Sequence, residues 1–580
     1  MKKHNEKQTK RSNERWSSRL GVILAVAGSA VGIGNFLRFP GQIAEYGGGA
    51  FMVAYFVAFL LLGLPMCWAE WTVGRYAGGR GFHSIPGMMT AITQRPYGKY
   101  VGAICLVIPT VVYMYFVCVQ SWCLGYAVNF LFGKIDFSNA EQAGAFFAHF
   151  TGVTGAGESF DFSLSKLLPY LILCFTINFI LIYRGVAKGI EWFCKYALPL
   201  LIVLAVVVLV RVLLLGAPNP ENPQASISNG LGFMWNPTKV YLEEQVQTPK
   251  GAAWKRVEEV VGEPAIKEAE AKAAETPAFR VQTLSTWEQL KRPKLWLAAA
   301  GQIFFSLAVG FGVIATYASY LSKKDDIVLS ALTATSANEF TEVGLGGLIT
   351  IPAGVAFLGV AGMAENTSLF SLGFNVLPLV FSSMPGGTFF GFLFFGLLFL
   401  GSVSACLSML QPGIAFFEEA LHASRKKSVS LLGALTGAGC LFAAFNSFDL
   451  KALDTLDFWA GTFLIFVMAT IFTLLFGWVL GIDTAFKEAH QGSALRIPKI
   501  YRFILKFVCP TFLIVVFASW LFIDVMGIGG GTLDPHILDL LGTKDTPPNT
   551  VALKSFALVM ATGMLFSLIA SRVSNYKLNK

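Results

Sequence analysis

The sequence predicts an all-α integral membrane protein with 12 transmembrane helices. We expect two inverted five-helix repeats, with helices 1 and 6 unwound at mid-membrane. Hydrophobic residues make up 54% of the 580-residue chain and charged residues 14%, whereas soluble domains carry roughly 25% charged residues. Apolar stretches of about 20 residues, long enough to cross a bilayer, recur along the chain. Glycines interrupt two of these stretches near their middles.

The apolar stretches give the order of the predicted spans, which we number one to twelve along the chain. They are Leu20–Pro40, Gly49–Tyr76, Val101–Phe132, Leu167–Tyr183, Trp192–Leu215, Leu295–Leu321, Ile327–Val360, Thr388–Leu421, Leu431–Phe445, Asp457–Leu480, Tyr501–Val525 and Val551–Ala570. The segment before span one is too long and too polar for a cleavable signal peptide.

Basic residues precede span one and follow every even-numbered span. Examples are Arg75 and Arg80 after span two, and Lys323 and Lys324 after span six. By the positive-inside rule, both termini then lie in the cytoplasm, and the protein is a multi-pass protein of the cell inner (plasma) membrane. The net charge of +9 therefore reflects topology, and we expect no nucleic-acid partner.

This topology divides the chain into six segments. They are a cytoplasmic tail (1–19), a first inverted repeat of spans one to five (20–215), an extracellular loop with a polar helical insertion (216–294), a second inverted repeat of spans six to ten (295–480), a cytoplasmic loop (481–500), and spans eleven and twelve with a cytoplasmic tail (501–580).

The insertion is the one long polar segment between spans. Its stretch EEVVGEPAIKEAEAKAAE favours a surface helix by its Ala, Glu and Lys content, interrupted at Pro264 and Pro277. Two interpretations stay open: a solvated loop with short helices, or a surface that docks a partner. The oligomeric state is also open, with a homodimer as one alternative.

Cysteine and histidine patterns exclude several kinds of site. All nine cysteines lie in apolar stretches, and none has the paired spacing of a zinc site. The six histidines are scattered and form no H-E-x-x-H motif. We therefore expect packing cysteines, no structural metal site, and no nucleophile–base pair of the kind a membrane enzyme needs.

The two interrupted spans point to a function. Residues 25–40 read AVAGSAVGIGNFLRFP, and residues 302–312 in span six read QIFFSLAVGFG. Gly28 and Gly32 alone could form a close helix contact. However, the two breaks fall at corresponding positions of two halves with opposite orientation, which is the pattern of a transporter binding site at mid-membrane.

Several motifs resemble the neurotransmitter:sodium symporter family, nearest to bacterial amino-acid members such as the leucine transporter. They are RWSSRLGVILAVAGSAVGIGNFLRFP, GGGAFMVAYFVAFLLLGLP, GQIFFSLAVGFGVIATYASY, ANEFTEV, MLQPGIAFFEE and LDFWAGT. They occur in order through spans one to ten. The resemblance implies the fold stated above and sodium-coupled symport by alternating access.

The resemblance also implies two sodium sites and no organic cofactor. The first would use Ala30, Asn35, Ser306 and Asn338, all oxygen donors, as a hard cation requires. The second would use the residues Gly28, Val31, Gly401 and Ser404. Relatives place a second hydroxyl beside the last of these, where this chain has Ala405, so one ligand of the second site is missing.

The implied substrate is a small molecule, a neutral and hydrophobic amino acid. Free amides at Gly32, Ile33 and Gly34 would hold its carboxylate, although Phe116 replaces a tyrosine that usually touches that group. Carbonyls of Ala30, Phe305 and Ser306 would hold the ammonium. The remaining lining positions are Ser29, Val112, Ala308, Phe311, Ala405 and Met409.

Two gates follow from the same resemblance. The outer gate would pair Arg38 with Asp457 above Phe305, with Gln302 nearby. The inner gate would use Trp16, Tyr320, Gln411 and Glu419. Asn13 stands where relatives carry the inner-gate arginine, so Arg15 or Arg11 would have to substitute.

One acid that we expect to be buried indicates whether transport requires chloride. Glu342 lies one helical turn after Asn338, where chloride-dependent relatives carry serine and bind chloride beside Tyr55, Gln302 and Ser306. The carboxylate would substitute for chloride and make transport chloride-independent, with a proton leaving and returning on Glu342. A second buried acid, Glu70, is expected to cap the broken sixth helix.

Four alternatives remain at this stage: a selective channel, the same fold with altered ion coupling, a substrate that is not an amino acid, and a sensor that binds without transporting. A channel would need a repeated ring of filter residues, and the sequence contains none. Gradient-driven accumulation of substrate would distinguish a transporter from a channel. Binding of substrate without flux would indicate a sensor.

Overall fold

The computed structural model describes residues 15–152, 166–218, 222–248, 251–446, 450–528, 533–543 and 546–573. Helices dominate these ranges. Arg11 and Asn13, considered above for the inner gate, lie outside them. All nine cysteines are buried and reduced, as the sequence predicts.

Nine helices in the described ranges are long and apolar enough to cross a membrane. They are Gly49–Gly78, Gly98–Leu131, Val186–Leu213, Ile327–Met363, Gly387–Ala420, Arg425–Phe445, Lys451–Val479, Ile500–Ile523 and Thr550–Ala570. A bent pair, Arg19–Ala30 and Gly34–Tyr46, adds span one as a tenth. Span four is the shorter apolar helix Leu168–Tyr183, and span six is two short helices, so the count of twelve stays a prediction.

Spans five, nine and ten begin earlier than their apolar stretches suggested, at Val186, Arg425 and Lys451. Arg425, in the first turn of span nine, is held by protein: it donates to the carbonyl of Ile182 at 2.7 Å and to the side chain of Gln411 at 3.1 Å. Hydropathy alone underestimates helices that start with such residues.

Shorter helices connect the spans. They are Ile85–Thr93, Ala140–Thr151, Ile227–Trp235, Glu263–Glu275, Thr286–Leu290, Leu369–Ser371, Leu377–Ser383, Ile482–Ala489 and Pro535–Leu541.

Spans one and six are broken, as their glycines predict. Span one starts at Arg19, where Ser18 caps the amide of Gly21, and its helix ends at Ala30. Val31 is extended, and the chain resumes as helix at Gly34, with a bend of 46° between the two halves.

Span six consists of Pro293–Ser306 and Val313–Ala318. Between them Ala308, Gly310 and Gly312 take φ values of 52°, 89° and 74°. This left-handed conformation suits glycine and is costly for an alanine. Both breaks leave backbone groups available for hydrogen bonding or for a ligand in the middle of the protein.

The insertion differs from the expectation of a helical segment. Residues Lys239–Thr248 (β1), Gly251–Val260 (β2) and Phe279–Leu284 (β3) form an antiparallel sheet in the order β2-β1-β3. The expected surface helix is present as Glu263–Glu275. Pro264 lies in its first turn, where proline is well tolerated, and so starts the helix rather than interrupting it.

The sheet is anchored to the membrane part through Lys239. This lysine is almost completely buried, pairs with Glu259, and lies 3.8 Å from the ring centroid of Phe233. Gln289 adds a hydrogen bond of 2.7 Å to the carbonyl of Pro237. A small core of its own, Leu242, Val260 and Ala269, joins the sheet to its helix.

Candidate ion and substrate site

Three of the four residues predicted for the first sodium site meet through their side chains at the break of span one. Asn35 donates to Asn338 Oδ1 at 2.9 Å, and Asn338 donates to Ser306 Oγ at 2.8 Å. All three are buried. Ala30, the fourth, lies beside Ser306 on the wall of a small cavity. This all-oxygen donor set fits a hard monovalent cation.

Glu342 lies at the centre of this cluster. Its carboxylate accepts hydrogen bonds from Gln302 at 2.6 Å, Asn338 at 3.1 Å and Asn35 at 3.2 Å, and from Ser306. The side chain is fully buried. A buried carboxylate is tolerated because several donors satisfy its oxygens.

A second acid, which the sequence reasoning missed, lies next to this cluster. Glu339 precedes Glu342 by three residues on span seven and accepts a hydrogen bond of 2.8 Å from Tyr55. The signal was available, because the ANEFTEV motif contains both acids. Tyr55, predicted beside Glu342, thus contacts the neighbouring carboxylate.

The residues predicted for the second sodium site also come together, where span one packs against span eight. A Cβ on Gly401 would lie 3.0 Å from Gly32 Cα and 3.3 Å from the carbonyl of Val31, and one on Gly28 would lie 3.3 Å from Ser404 Cβ. Ser404 donates to the carbonyl of Gly401 at 2.8 Å. The two spans can approach this closely because these positions lack side chains.

A cavity of about 40 Å³ lies between the two breaks. Twelve of the thirteen residues predicted to bind substrate line it: Ser29, Ala30, Gly32, Ile33, Gly34, Phe116, Phe305, Ser306, Ala308, Phe311, Ala405 and Met409. Val313 and Ser408 also line it and were not predicted. Val112 is fully buried away from the cavity wall, because it lies one turn deeper on span three than Phe116.

One predicted carboxylate donor is already engaged. The amide of Gly32 donates to Asn35 Oδ1 at 2.7 Å, which ties the break of span one to the ion cluster. Of the three amides, those of Ile33 and Gly34 remain as candidates for a ligand. The prediction of three free amides is therefore wrong for Gly32.

The break of span six is capped as the sequence predicts. Glu70 on span two accepts a hydrogen bond of 2.5 Å from the amide of Gly310. Both groups are buried, so the carboxylate satisfies a backbone donor that would otherwise have no partner in the interior.

A larger cavity of about 260 Å³, the vestibule, opens beside Phe305 and is also lined by Arg38 and Asp457. The guanidinium of Arg38 lies 4.0 Å from the ring centroid of Phe305, whereas Asp457 accepts a hydrogen bond of 2.5 Å from Tyr115. No ion pair joins Arg38 to Asp457 in the described part of the chain. Gln302, expected near this gate, lies in the ion cluster instead.

On the opposite side of the protein, the predicted inner-gate residues are held by hydrogen bonds. Trp16 donates to the carbonyl of Tyr317 at 3.0 Å, and Gln411 donates to the hydroxyl of Tyr320 at 3.0 Å. The carboxylate of Glu419 accepts hydrogen bonds from the backbone amides of His83 and Ser84, each at 3.0 Å.

A cation that was not predicted joins the inner gate. Arg425 at the start of span nine donates to Gln411 at 3.1 Å and lies 4.0 Å from Glu418. Arg15, one of the two substitutes considered for the missing arginine, is exposed. The sequence motif gave no sign of Arg425, because it follows span eight in a polar loop.

The fold and the site have clear relatives. A family model described as "Sodium:neurotransmitter symporter family" matches residues 13–145 and 277–526. The chain belongs to this family. It is therefore a sodium-dependent membrane transporter, and not an enzyme.

Two relatives and one solved structure are examples of the proteins to which this chain is similar. An uncharacterized sodium-dependent transporter of Haemophilus influenzae is 27% identical over 533 residues, covering 88% of this chain and 99% of that protein. The sodium-dependent serotonin transporter of Drosophila melanogaster is 24% identical, covering 88% and 76% of the two chains. The crystal structure of MhsT in complex with L-phenylalanine has a TM-score of 0.68 and 26% identity, covering 87% and 99%.

Besides residues 1–12, two parts of this symporter lie outside the family match. Residues 146–276 include most of the inserted sheet, and residues after 526 include the loop between spans eleven and twelve and span twelve itself. The ion cluster, the substrate cavity and both gates lie inside the match.

Proposed function

We propose that this symporter couples inward sodium movement to uptake of a neutral, hydrophobic amino acid by alternating access. The observation that best supports this proposal is the small cavity between the two helix breaks. Backbone groups of both breaks line one part of it, and Phe116, Phe305 and Phe311 line another. Among the described residues, none that lines it carries a charged side chain.

An amino acid suits this cavity because its two charged groups match the two breaks. The amides of Ile33 and Gly34 lie at the start of a helical segment, where the helix dipole favours a carboxylate. Carbonyls of Ala30, Phe305 and Ser306 supply acceptors for the ammonium. Substrate and sodium then share Ala30 and Ser306, which couples binding of one to binding of the other.

The side-chain end of the cavity favours an apolar guest. Aromatic rings surround it, and Ala308 and Ala405 leave space between them. The solved relative MhsT was crystallised with L-phenylalanine, which supports the same substrate class here. We expect branched and aromatic amino acids to compete best, and acidic or basic ones to be rejected because no side chain in the cavity would pair with their charge.

Chloride independence forms the second part of the proposal. The carboxylate of Glu342 already supplies a negative charge beside Asn338 and Ser306, so an additional anion would be repelled. Proton release and return on Glu342 would accompany each cycle. Replacing Glu342 with serine should make uptake respond to chloride, and a chloride-indifferent variant that still transports would contradict this assignment.

Sodium coupling would use two sites. We propose one sodium at the site of Ala30, Asn35, Ser306 and Asn338, and a weaker second site at Gly28, Val31, Gly401 and Ser404. In the membrane, the two termini face the cytoplasm. Spans one, two, six and seven, which we call the bundle, rock against the remaining spans.

Equilibrium binding tests this proposal without a gradient. Labelled L-phenylalanine should bind the purified protein in sodium and not in potassium or choline. Asn338→Ala should abolish the sodium effect, whereas Val112→Ala, on a core residue outside the cavity, should keep it. Sodium-dependent binding without uptake would indicate a sensor, and binding that is indifferent to sodium would indicate altered ion coupling.

A further inference from the structure

One histidine of the loop between spans eleven and twelve makes two separate contacts with the outer end of span ten. His536 lies in the short helix Pro535–Leu541 of this loop. Its Nδ1 is 3.0 Å from Asp534 Oδ1 on the same loop, and its Nε2 is 3.2 Å from Asp454 Oδ2 on span ten. The imidazole therefore bridges two carboxylates from separate elements.

The same ring stacks on span ten. The centroids of His536 and Phe458 are 3.9 Å apart, and the two rings are almost parallel, at 4°. Asp454 comes one helical turn before Asp457, and Phe458 comes directly after Asp457. The two contacts of His536 on span ten thus flank the outer-gate acid on both sides along the chain.

Span ten changes its helical geometry at this point. Its regular helix Lys451–Leu456 gives way to a widened, π-helical segment that begins at Asp457 and ends at Phe463. Such segments are frequent at functional sites because they interrupt the regular hydrogen-bond ladder. An external contact can therefore set the orientation of the Asp457 side chain.

We propose that His536 is a positioning residue of the outer gate: through Asp454 and Phe458 it holds the outer end of span ten, so that Asp457 faces Arg38 across the vestibule. This rests on the proposed alternating-access function, with Arg38 and Asp457 as the outer gate that the sequence motifs imply. The family match ends at residue 526, before His536, so the loop side of this contact lies outside the matched residues.

The charges around His536 make the contact sensitive to alkaline pH. Its charged neighbours are Asp454 and Asp534, and the Lys451–Asp539 pair, 2.5 Å, joins the same two elements nearby. Burial lowers the pKa of His536, but the two carboxylates outweigh this and raise the pKa to about 9. The imidazolium form persists at neutral pH and is lost as the pH rises through about 9.

Thiol labelling of the vestibule tests the role directly. Val119 lines the vestibule and is itself buried, as are the native cysteines, so Val119→Cys provides a reporter that a membrane-impermeant thiol reagent reaches only when the vestibule opens. The reporter is placed in the full-length chain, in sodium, with His536→Gln, His536→Arg or Asp539→Asn. The Asp539 variant is the matched control, because it loosens the same loop helix without touching Asp454 or Phe458.

At neutral pH we expect His536→Gln to label at least about threefold faster than the parent, because Asp457 is no longer held opposite Arg38 in the vestibule, from where it can close the gate. His536→Arg, which keeps a stacking cation, should label at the parental rate. The ratio of Gln-variant to parent rates should fall towards one as the pH rises through about 9. Thiol ionisation cancels in this ratio because both chains carry the same reporter.

Three results would overturn the proposal: equal labelling of the parent and His536→Gln, a ratio that does not change with pH, or an effect of Asp539→Asn as large as that of His536→Gln. Size-exclusion profiles exclude misfolding as the source of faster labelling. Labelling needs neither substrate nor gradient, so it can fail while sodium-coupled uptake succeeds, and the reverse.

Discussion

Replacing Phe116 with tyrosine should strengthen binding of the substrate carboxylate. Phe116 lines both the small cavity and the vestibule, at the boundary between them. The vestibule has a volume of about 260 Å³, and a single water-sized group needs roughly 10–15 Å³, so a hydroxyl at this boundary can be accommodated while the substrate occupies the small cavity. A hydrogen bond to a charged group contributes about 1.5–3 kcal/mol, which corresponds to about tenfold to about 150-fold in affinity.

Competition binding measures this gain. Unlabelled L-phenylalanine and its decarboxylated analogue, phenethylamine, compete with labelled substrate on the parent and on Phe116→Tyr. The affinity for L-phenylalanine should rise and that for phenethylamine should not. Val112→Thr is the control, because it adds a hydroxyl to the same helix outside the cavity, where threonine bonds to its own helix. An equal gain for both ligands, or none for either, would refute carboxylate recognition at this position.

Three further predictions concern ions and stability. Ala405→Ser should restore an oxygen beside Ser404 and so strengthen sodium binding by about 1 kcal/mol. The sodium concentration for half-maximal binding should then fall about fivefold. An unchanged sodium dependence would contradict the second site. Glu70→Ala should destabilise the protein by about 1–3 kcal/mol because the Gly310 amide loses its partner, measured by thermal unfolding in detergent with Glu70→Gln as the milder control. The stabilisation from His536 is present below pH of about 6.5 and lost as pH rises through about 9, so the melting temperature should fall across that range in the parent and not in His536→Gln.

The broken spans were predictable because their cause is local. Glycines in the middle of an apolar stretch disfavour continuous helix whatever surrounds them, and the structure breaks at Val31 and around Gly310. The contact between Glu70 and Gly310 could be anticipated for a related reason, since a buried acid and free amides each need a partner.

The inserted sheet was missed although its signal was present. In β1 the residues Val240 and Leu242 alternate with polar neighbours, which is a strand pattern. The Ala, Glu and Lys content of the following segment led to the prediction of a helix for the whole insertion. The helix forms only after Val260. Local pattern should have outweighed average composition.

Other contacts could not be predicted from the sequence because they depend on tertiary structure. Asp454 and His536 meet only when the loop after span eleven folds back onto span ten. Arg425 reaches Gln411 from the start of the next helix. The engagement of the Gly32 amide by Asn35 depends on the exact path of three unwound residues, which neither periodicity nor composition encodes.

Uptake into proteoliposomes measures sodium-coupled transport itself. A panel of labelled neutral amino acids is offered under an inward sodium gradient and, separately, under potassium or choline. We expect accumulation above the external concentration only with sodium, greatest for a hydrophobic amino acid, and unchanged when chloride is replaced by gluconate. Equal uptake with and without sodium, or no accumulation of any amino acid, would contradict it.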